Sequence, residues 1–181
     1  MNSKIQLILG GARSGKSRLA EQRAEQLLAD GKVKRLVYVA TAQGKDPEMQ
    51  HRIAHHKTHR SAGWQVVEEP WRLDDVVISH SEQTCILIDC LTLWLTYGLC
   101  ELGFEAVEQK KQQLIASLKQ TTARVILVSN EVGHGIVPLG ELSRQFVDQA
   151  GWLHQDIAAL ASRVDFVIAG CLLPLKQEHM L

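Results

Sequence analysis

Short apolar runs recur along the chain, and amphipathic stretches separate them. The runs are rich in β-branched residues and are bounded by turn residues, which indicates buried strands. The stretches between them carry apolar residues at helical spacing. Strands that alternate with helices in this way predict an α/β fold, with a mainly parallel sheet and helices on both of its faces. The predicted strands span residues 5–9, 35–40, 64–69, 85–89, 124–128 and 165–169, with a further short strand at 170–175.

The predicted helices span residues 18–28, 46–60, 74–79, 91–99, 104–122 and 141–163. The fourth of them is strongly apolar and contains Trp94, which indicates either a buried helix or a subunit contact. On the fifth, the neighbouring side chains of Lys110 and Lys111 are expected to lie on a solvated face. On the last, Trp152 and His154 are expected to serve packing or to lie at the surface, and not to take part in chemistry.

The chain has 181 residues, of which 45% are hydrophobic and 22% are charged, enough for one well-buried core. We therefore expect residues 1–181 to form a single domain. Its 20 basic and 20 acidic residues give zero formal net charge, which argues against nucleic acid or a membrane surface as a partner. No apolar run approaches the roughly 20 residues that span a bilayer. The cysteines lack C-x-x-C spacing and the N-terminus lacks a signal-peptide core, so we expect a reduced, cytoplasmic protein.

Residues 10–17, Gly-Gly-Ala-Arg-Ser-Gly-Lys-Ser, directly follow the first predicted strand and fit the P-loop pattern G-x-x-x-x-G-K-[ST]. Glycines let the backbone turn tightly enough to point N–H groups at phosphate oxygens, and the helix that begins near Lys16 adds its positive dipole end. In this pattern Lys16 reaches the β- and γ-phosphates, and the Ser17 hydroxyl binds Mg²⁺. Since strand, loop and helix occur in the required order, the sequence predicts a nucleotide site here.

Polar residues also follow three other predicted strands, at the sheet edge where α/β proteins bind ligands. Asp89 comes after four apolar residues, and a carboxylate in that position is typical of the Mg²⁺ site of P-loop enzymes. Thr41 is placed for a nucleotide contact, although it could simply end its strand. Asn130 and Glu131 are placed for a substrate contact, although they could instead cap backbone groups of their own loop.

Half of the eight histidines lie close together on the predicted 46–60 helix, and three interpretations of this cluster compete. His51, His55 and His59 share one helical face and could bind a metal, but no cysteine or carboxylate at ligand spacing completes such a site. The cluster could also be a solvated basic face. Alternatively, one imidazole could attack a bound nucleotide, while neighbouring basic side chains neutralise its phosphates.

Four motifs together carry a resemblance to a known family. They are residues 10–17, Ala-Thr-Ala-Gln at 40–43, Arg-Ile-Ala-His-His-Lys at 52–57 and Asn-Glu-Val-Gly-His-Gly-Ile-Val-Pro at 130–138. With these motifs in matching order, nearly the whole chain resembles the bifunctional adenosylcobinamide kinase/adenosylcobinamide-phosphate guanylyltransferases of cobalamin biosynthesis. The resemblance implies a RecA-like P-loop fold, a homotrimer and two reactions. ATP or GTP phosphorylates the aminopropanol hydroxyl of adenosylcobinamide, and GMP is then transferred from GTP to adenosylcobinamide phosphate through a GMP-histidine intermediate.

The resemblance also implies roles for individual residues. The nucleophile falls in the His55–His56 pair, and we assign it to His56. Lys16 is the second catalytic residue, and Ser17 and Asp89 are expected to bind Mg²⁺; some relatives have glutamate in place of Asp89, which keeps the carboxylate. The nucleotide-contacting residues that the resemblance implies are Gly10, Gly11, Ala12, Arg13, Ser14, Gly15, Lys16, Ser17, Ala40, Thr41, Ala42, Lys57, Thr58, His59, Arg60, Glu68 and Asp89.

Two other classes of protein share some of these features. A metal-delivery GTPase would also combine a P-loop with histidines, but the sequence has no Asn-Lys-x-Asp guanine-recognition motif, and Ser-Asn-Glu-Val at 129–132 is the nearest stretch. A RecA-like nucleic-acid motor is disfavoured by the zero net charge and by the lack of a basic groove lined with aromatic residues. Residues 171–181 are less regular than the usual family ending, so their pairing is open.

Overall fold

The computed structural model describes residues 4–42 and 63–177, which contain one seven-stranded sheet. The strands are β1 (Ile5–Gly10), β2 (Arg35–Ala40), β3 (Trp64–Glu68), β4 (Thr84–Asp89), β5 (Arg124–Asn130), β6 (Arg163–Ile168) and β7 (Cys171–Gln177). They lie in the order β3-β2-β4-β5-β1-β6-β7. All neighbouring strands are parallel except β6 and β7, which are antiparallel. The predicted mainly parallel sheet is therefore confirmed.

Helices cover both faces of the sheet, as predicted. They are α1 (Lys16–Ala29), α2 (Leu73–Ile78), α3 (Leu91–Tyr97), α4 (Phe104–Gln120) and α5 (Glu141–Leu160), and a π-helical turn at Gly98–Leu102 links α3 to α4. The predicted helix at 46–60 lies outside the described residues. None of the described helices is both long and apolar enough to cross a bilayer.

The alternation of side chains along the strands divides the core into two layers. Leu7 and Leu9 of β1 pack in the larger layer, under α2 to α5, whereas Ile8 packs in the smaller layer under α1. The residues that α1 buries there include Ala20 and Ala24, whose small side chains allow the helix to lie close to the sheet. This close packing fixes the start of α1 above the end of β1.

The apolar segment after β4 is a buried helix. The side chains of Leu91, Trp94 and Leu95 on α3 are fully buried in the core of the same chain. The Trp94 indole N–H donates to the carbonyl oxygen of Trp71 at 2.9 Å, and the two rings stack with centroids 5.5 Å apart. The alternative of a buried helix is therefore confirmed, and a subunit contact of this segment stays a prediction.

The prediction of a solvated Lys110–Lys111 pair is also wrong. Lys111 is 5% exposed, and its ammonium donates to Gln149 Oε1 at 2.6 Å and to Glu108 Oε1 at 3.0 Å. The Lys110 ammonium lies 2.7 Å from a carboxylate oxygen of Asp74. The physical reason is that α4 packs against α2 on one side and α5 on the other, so neighbouring positions on it face two different helices.

The C-terminal strand predicted at 170–175 is present as β7, and it pairs with β6 through a tight hairpin. Ala169 and Gly170 turn the chain with positive φ values of 51° and 77°. Val164 lies opposite Lys176, and Ile168 lies opposite Cys171. The pairing that the sequence left open is therefore antiparallel for the residues up to Gln177.

Candidate active site at the carboxyl edge of the sheet

The P-loop connects the end of β1 to the start of α1, as its sequence predicts. A Cβ atom at Gly10 would lie 2.5 Å from the carbonyl oxygen of Val167 and 2.7 Å from Ser14 Oγ, so no larger residue fits. Gly15, directly before α1, has a φ of 100°, a conformation that glycine adopts without strain. The Gly170 N–H donates to the carbonyl oxygen of Ser14 at 2.9 Å. Both motif glycines are thus required by the backbone, and the β6–β7 hairpin supports the loop.

Lys16 is the buried cation of this loop. Its side chain comes from the first turn of α1, the residue is 8% exposed, and its ammonium donates to the carbonyl oxygen of Gly11 at 3.0 Å. Burial lowers the pKa of Lys16, and the negative charge of Asp89 partly opposes this shift. The P-loop lysine and the carboxylate at the end of β4 therefore interact electrostatically, as the prediction of a shared site requires.

Asp89 is held by a buried tyrosine. The Tyr38 hydroxyl donates to Asp89 Oδ2 at 3.0 Å, and Tyr38 is only 5% exposed. The two residues lie on neighbouring strands, in the layer that α1 covers. Sequence reasoning missed Tyr38; the available signal was the alternation along β2, which puts Tyr38 two residues before Ala40 on the same face.

The register of the parallel strands aligns several predicted site residues along this edge. Ala40 lies opposite Glu68 on one side and opposite Asp89 on the other, while Gly10 lies opposite Asn130. Residues that are far apart in sequence are therefore neighbours at the carboxyl ends of the strands, where doubly wound sheets bind ligands. Ala40, Glu68 and Asp89 form one row that leads from the edge strand toward the P-loop.

Thr41 has a structural role in this arrangement. Its hydroxyl donates to the carbonyl oxygen of Cys90 and accepts a hydrogen bond from the Cys90 N–H, both at 2.8 Å, and Thr41 is 1% exposed. These bonds tie the end of β2 to the residue that follows Asp89. The structure thus gives the hydroxyl an internal partner, and a nucleotide contact from Thr41 stays a prediction.

The loop after β5 is joined to the P-loop through the backbone. The Glu131 N–H donates to the carbonyl oxygen of Gly10 at 3.1 Å. The Glu131 side chain caps its own loop, because Oε1 accepts from the Gly133 N–H at 2.6 Å. The Asn130 side-chain amide donates to Thr92 Oγ1 at 3.2 Å, which links β5 to α3. Capping, the alternative considered from the sequence, is therefore correct for Glu131, and its contact with substrate stays a prediction.

The buried His154 on α5 contacts the residues at the start of this loop. Its Nε2 lies 2.7 Å from Ser129 Oγ, and its Nδ1 lies 3.6 Å from Glu131 Oε2. Burial lowers the pKa of His154, and the charge of Glu131 opposes this shift. Ser129 is fully buried, so this serine, histidine and glutamate cannot act on a substrate as a hydrolase triad would. The prediction of a packing role for His154 is confirmed; its spacing, four residues after Ala150 and three before Ile157 on one helix face, was the sequence signal.

Part of the predicted site lies outside the described residues. This part comprises the whole histidine cluster, with the assigned nucleophile His56, and the implied nucleotide contacts Lys57, Thr58, His59 and Arg60.

Comparison with known proteins identifies the family. The sequence model of one family, described as cobinamide kinase / cobinamide phosphate guanyltransferase, matches residues 6–175. The chain belongs to this family. The bifunctional adenosylcobalamin biosynthesis protein CobP of Pseudomonas aeruginosa is 51% identical over 176 residues, which cover 96% of this chain and 98% of that protein. The CobU proteins of Escherichia coli and Salmonella typhimurium are 38% and 40% identical, and each alignment covers 94% of this chain and 98% of the relative.

Solved structures with the same fold include distant proteins. The flagellar accessory protein FlaH of Methanocaldococcus jannaschii is 14% identical, with a TM-score of 0.53 over 98% of this chain and 80% of that chain. A solved ATPase domain is also 14% identical, with a TM-score of 0.52 over 91% of this chain and 69% of that chain. At this identity the likeness concerns the fold alone, and it confirms the RecA-like P-loop architecture of the family.

Proposed function

We propose that the chain phosphorylates adenosylcobinamide with ATP or GTP and then transfers GMP from GTP to the resulting phosphate. The main support for this proposal is the family match over residues 6–175. The structure agrees with it, because Lys16 lies in the P-loop and Asp89 lies at the carboxyl end of β4, where Tyr38 binds it. The product is adenosylcobinamide-GDP, an intermediate of cobalamin biosynthesis. A cytoplasmic location suits such an enzyme, because its nucleotide substrates are cytoplasmic.

In the kinase step, the aminopropanol hydroxyl attacks the γ-phosphorus of the nucleotide. A new oxygen–phosphorus bond forms, the bond to the β-phosphate oxygen breaks, and the hydroxyl proton is released with the nucleoside diphosphate. The P-loop N–H groups and Lys16 stabilise the charge on the phosphoryl oxygens. Lys16 is suited to this role because it lies in a buried setting, where its charge acts on the phosphates with little screening.

In the transfer step, His56 attacks the α-phosphorus of GTP and pyrophosphate leaves. A phosphate oxygen of adenosylcobinamide phosphate then attacks the same phosphorus, and the bond to the imidazole breaks, which restores the histidine. Lys57, Thr58, His59 and Arg60 would contact the phosphates during both halves of the transfer. The basic side chains of Lys57 and Arg60 would offset the negative charge that builds up on the leaving pyrophosphate.

Ser17 and Asp89 have the chemistry to hold Mg²⁺. Both offer hard oxygen atoms, and Tyr38 engages Oδ2 of the Asp89 carboxylate, so Oδ1 can face a metal. A bound Mg²⁺ would supply charge neutralisation at the β- and γ-phosphates. The role of Tyr38 would then be to orient the carboxylate toward the ion.

Replacement of Tyr38 by phenylalanine tests this role. The substitution keeps the ring that packs edge-on against Trp64 with centroids 6.1 Å apart, and it removes only the hydroxyl. Loss of one hydrogen bond to the carboxylate should raise the Mg²⁺ concentration for half-maximal kinase activity about threefold to tenfold. The maximal rate at saturating Mg²⁺ should stay close to that of the wild type. An unchanged Mg²⁺ dependence would contradict the orienting role.

We also propose a homotrimer. Support comes from the β6–β7 hairpin, where β7 is an edge strand and exposes several large apolar side chains. They are Ile168, Leu172, Leu173 and Leu175, each between 43% and 57% exposed. Sedimentation equilibrium tests the proposal: the wild type should have three times the chain mass of 20.2 kDa, and Leu173→Glu should lower it. A monomeric wild type would contradict the proposal.

The function itself is tested by supplying the purified protein with adenosylcobinamide, γ-³²P-ATP and Mg²⁺, and then with GTP. We expect a labelled corrinoid in the first stage and adenosylcobinamide-GDP in the second. A metal-delivery GTPase would hydrolyse GTP without consuming the corrinoid, and that result would contradict the proposed function.

A further inference from the structure

The loop between β5 and α5, whose base at Glu131 is bonded to the P-loop residue Gly10, exposes a group of aliphatic side chains. Ile136 is 97% exposed, Val137 is 72%, Leu139 is 98% and Leu142, in the first turn of α5, is 50%. Single exposed apolar residues are common, but four of them within residues 136–142 are typical of a binding surface. We call these four residues the apolar loop surface.

The backbone that carries this surface is anchored at several points. At its base, the Glu131 N–H is bonded to Gly10, the first residue of the P-loop motif. Within the loop, the His134 ring stacks on Phe166 with centroids 5.8 Å apart. At its end, the Arg144 guanidinium donates to the carbonyl oxygens of Pro138 and Leu139. The aliphatic side chains are therefore presented to solvent by a loop that is itself fastened to the sheet and to α5.

We propose that the apolar loop surface holds the corrin macrocycle of the cobinamide substrate, an inference that rests on the proposed function. The hydroxyl that is phosphorylated must reach the P-loop at the end of a short arm, so the macrocycle must lie against a surface beside that loop. A corrinoid presents methyl groups and uncharged carboxamides around its ring. From 132 to 140 the sequence has no acidic residue, lysine or arginine, so the surface matches this uncharged rim.

The size of the surface also favours a small molecule over a second copy of the chain. A stable protein interface buries roughly 800 Å² on each partner, more than four aliphatic side chains supply, so a subunit contact needs further bonding groups such as an open strand edge. A macrocycle needs only a few such contacts, because its arm is also held at the P-loop. The β6–β7 hairpin, with its open strand edge, is the better surface for another subunit.

Equilibrium dialysis of cobinamide against the double variant Ile136→Ser/Leu139→Ser tests the inference. Both side chains are almost fully exposed, so their loss should not affect folding, which a thermal melt checks. We expect cobinamide to bind at least ~10-fold more weakly, since two aliphatic contacts are lost. Labelling of the protein by α-³²P-GTP, which needs no corrinoid, should be unchanged. Ile78→Ser is the matched control: Ile78 is 59% exposed at the end of α2, near the opposite edge of the sheet.

Each remaining outcome has a definite meaning. Unchanged cobinamide binding by the double variant overturns the inference. A lower mass of the double variant in sedimentation also overturns it, because the surface would then be a subunit contact. If the wild type binds cobinamide but is not labelled by GTP, the proposed transfer reaction fails; weaker binding by the double variant alone would still support the apolar loop surface.

Discussion

Lys16→Ala should lower the kinase kcat/KM by about 10²- to 10³-fold, because it removes the buried cation that stabilises the transferring phosphoryl group. Lys16 is 8% exposed, and in the described residues its ammonium contacts the P-loop backbone at Gly11. Because the buried charge of Lys16 acts on the phosphates with little screening, water that fills its place in the variant cannot substitute for it. The measurement is the initial rate of γ-³²P transfer to adenosylcobinamide at several nucleotide concentrations.

The matched control for this experiment is Lys4→Ala. The Lys4 ammonium also donates to a backbone carbonyl, that of Thr122 at 3.0 Å, but it does so at the exposed amino edge of the sheet. Its loss should leave the rate within about twofold of the wild type, since a surface contact of this kind contributes little. If Lys16→Ala retained more than a tenth of the wild-type rate, the P-loop would not be the kinase site.

Asp165→Ala should destabilise the fold by about 3–5 kcal/mol, the largest loss that we expect from a residue outside the active site. Asp165 is fully buried on β6, and its Oδ2 accepts from Arg23 at 2.6 Å and from Arg163 at 2.7 Å. Arg23 lies on α1 with only 14% of its side chain exposed, so removal of the carboxylate leaves a poorly solvated cation. Urea denaturation followed by circular dichroism measures the change.

A surface ion pair provides the comparison. Asp30 lies 3.0 Å from Lys32, with 35% and 54% of the two side chains exposed. Asp30→Ala should leave the urea midpoint unchanged within error, because water solvates both groups once they are separated. Similar midpoints for the Asp30 and Asp165 variants would show that the buried carboxylate does not hold α1 against β6.

Much of the fold follows from local sequence patterns. The predicted bounds of β2 agree with the structure, because an uninterrupted apolar run between turn residues has few alternatives to a buried strand. The P-loop is equally local, since Gly10 and Gly15 are required by a turn of fixed length between one strand and the next helix. Asp89 was predictable for the same reason, as the first carboxylate after an apolar run.

The contacts that the sequence did not reveal join residues that are distant in the chain. Arg23 and Asp165 are 142 positions apart, and Lys111 and Gln149 are 38 positions apart. Each of these polar side chains has the local pattern of a solvated residue, and only the packing of helices against the sheet and against one another supplies its buried partner. Tyr38 was missed for a related reason. Its hydroxyl reaches Asp89 only because β2 and β4 pair in a particular register, and that register cannot be predicted from either strand alone.

Covalent labelling with α-³²P-GTP and Mg²⁺, followed by denaturation, tests the GMP-histidine intermediate most directly in the wild type and in the His55→Ala and His56→Ala variants. We expect a label on the wild type and on His55→Ala that is labile in acid and stable in alkali, as a phosphoramidate is, and no label on His56→Ala. A wild type that remains unlabelled while it still hydrolyses ATP would contradict the transfer mechanism.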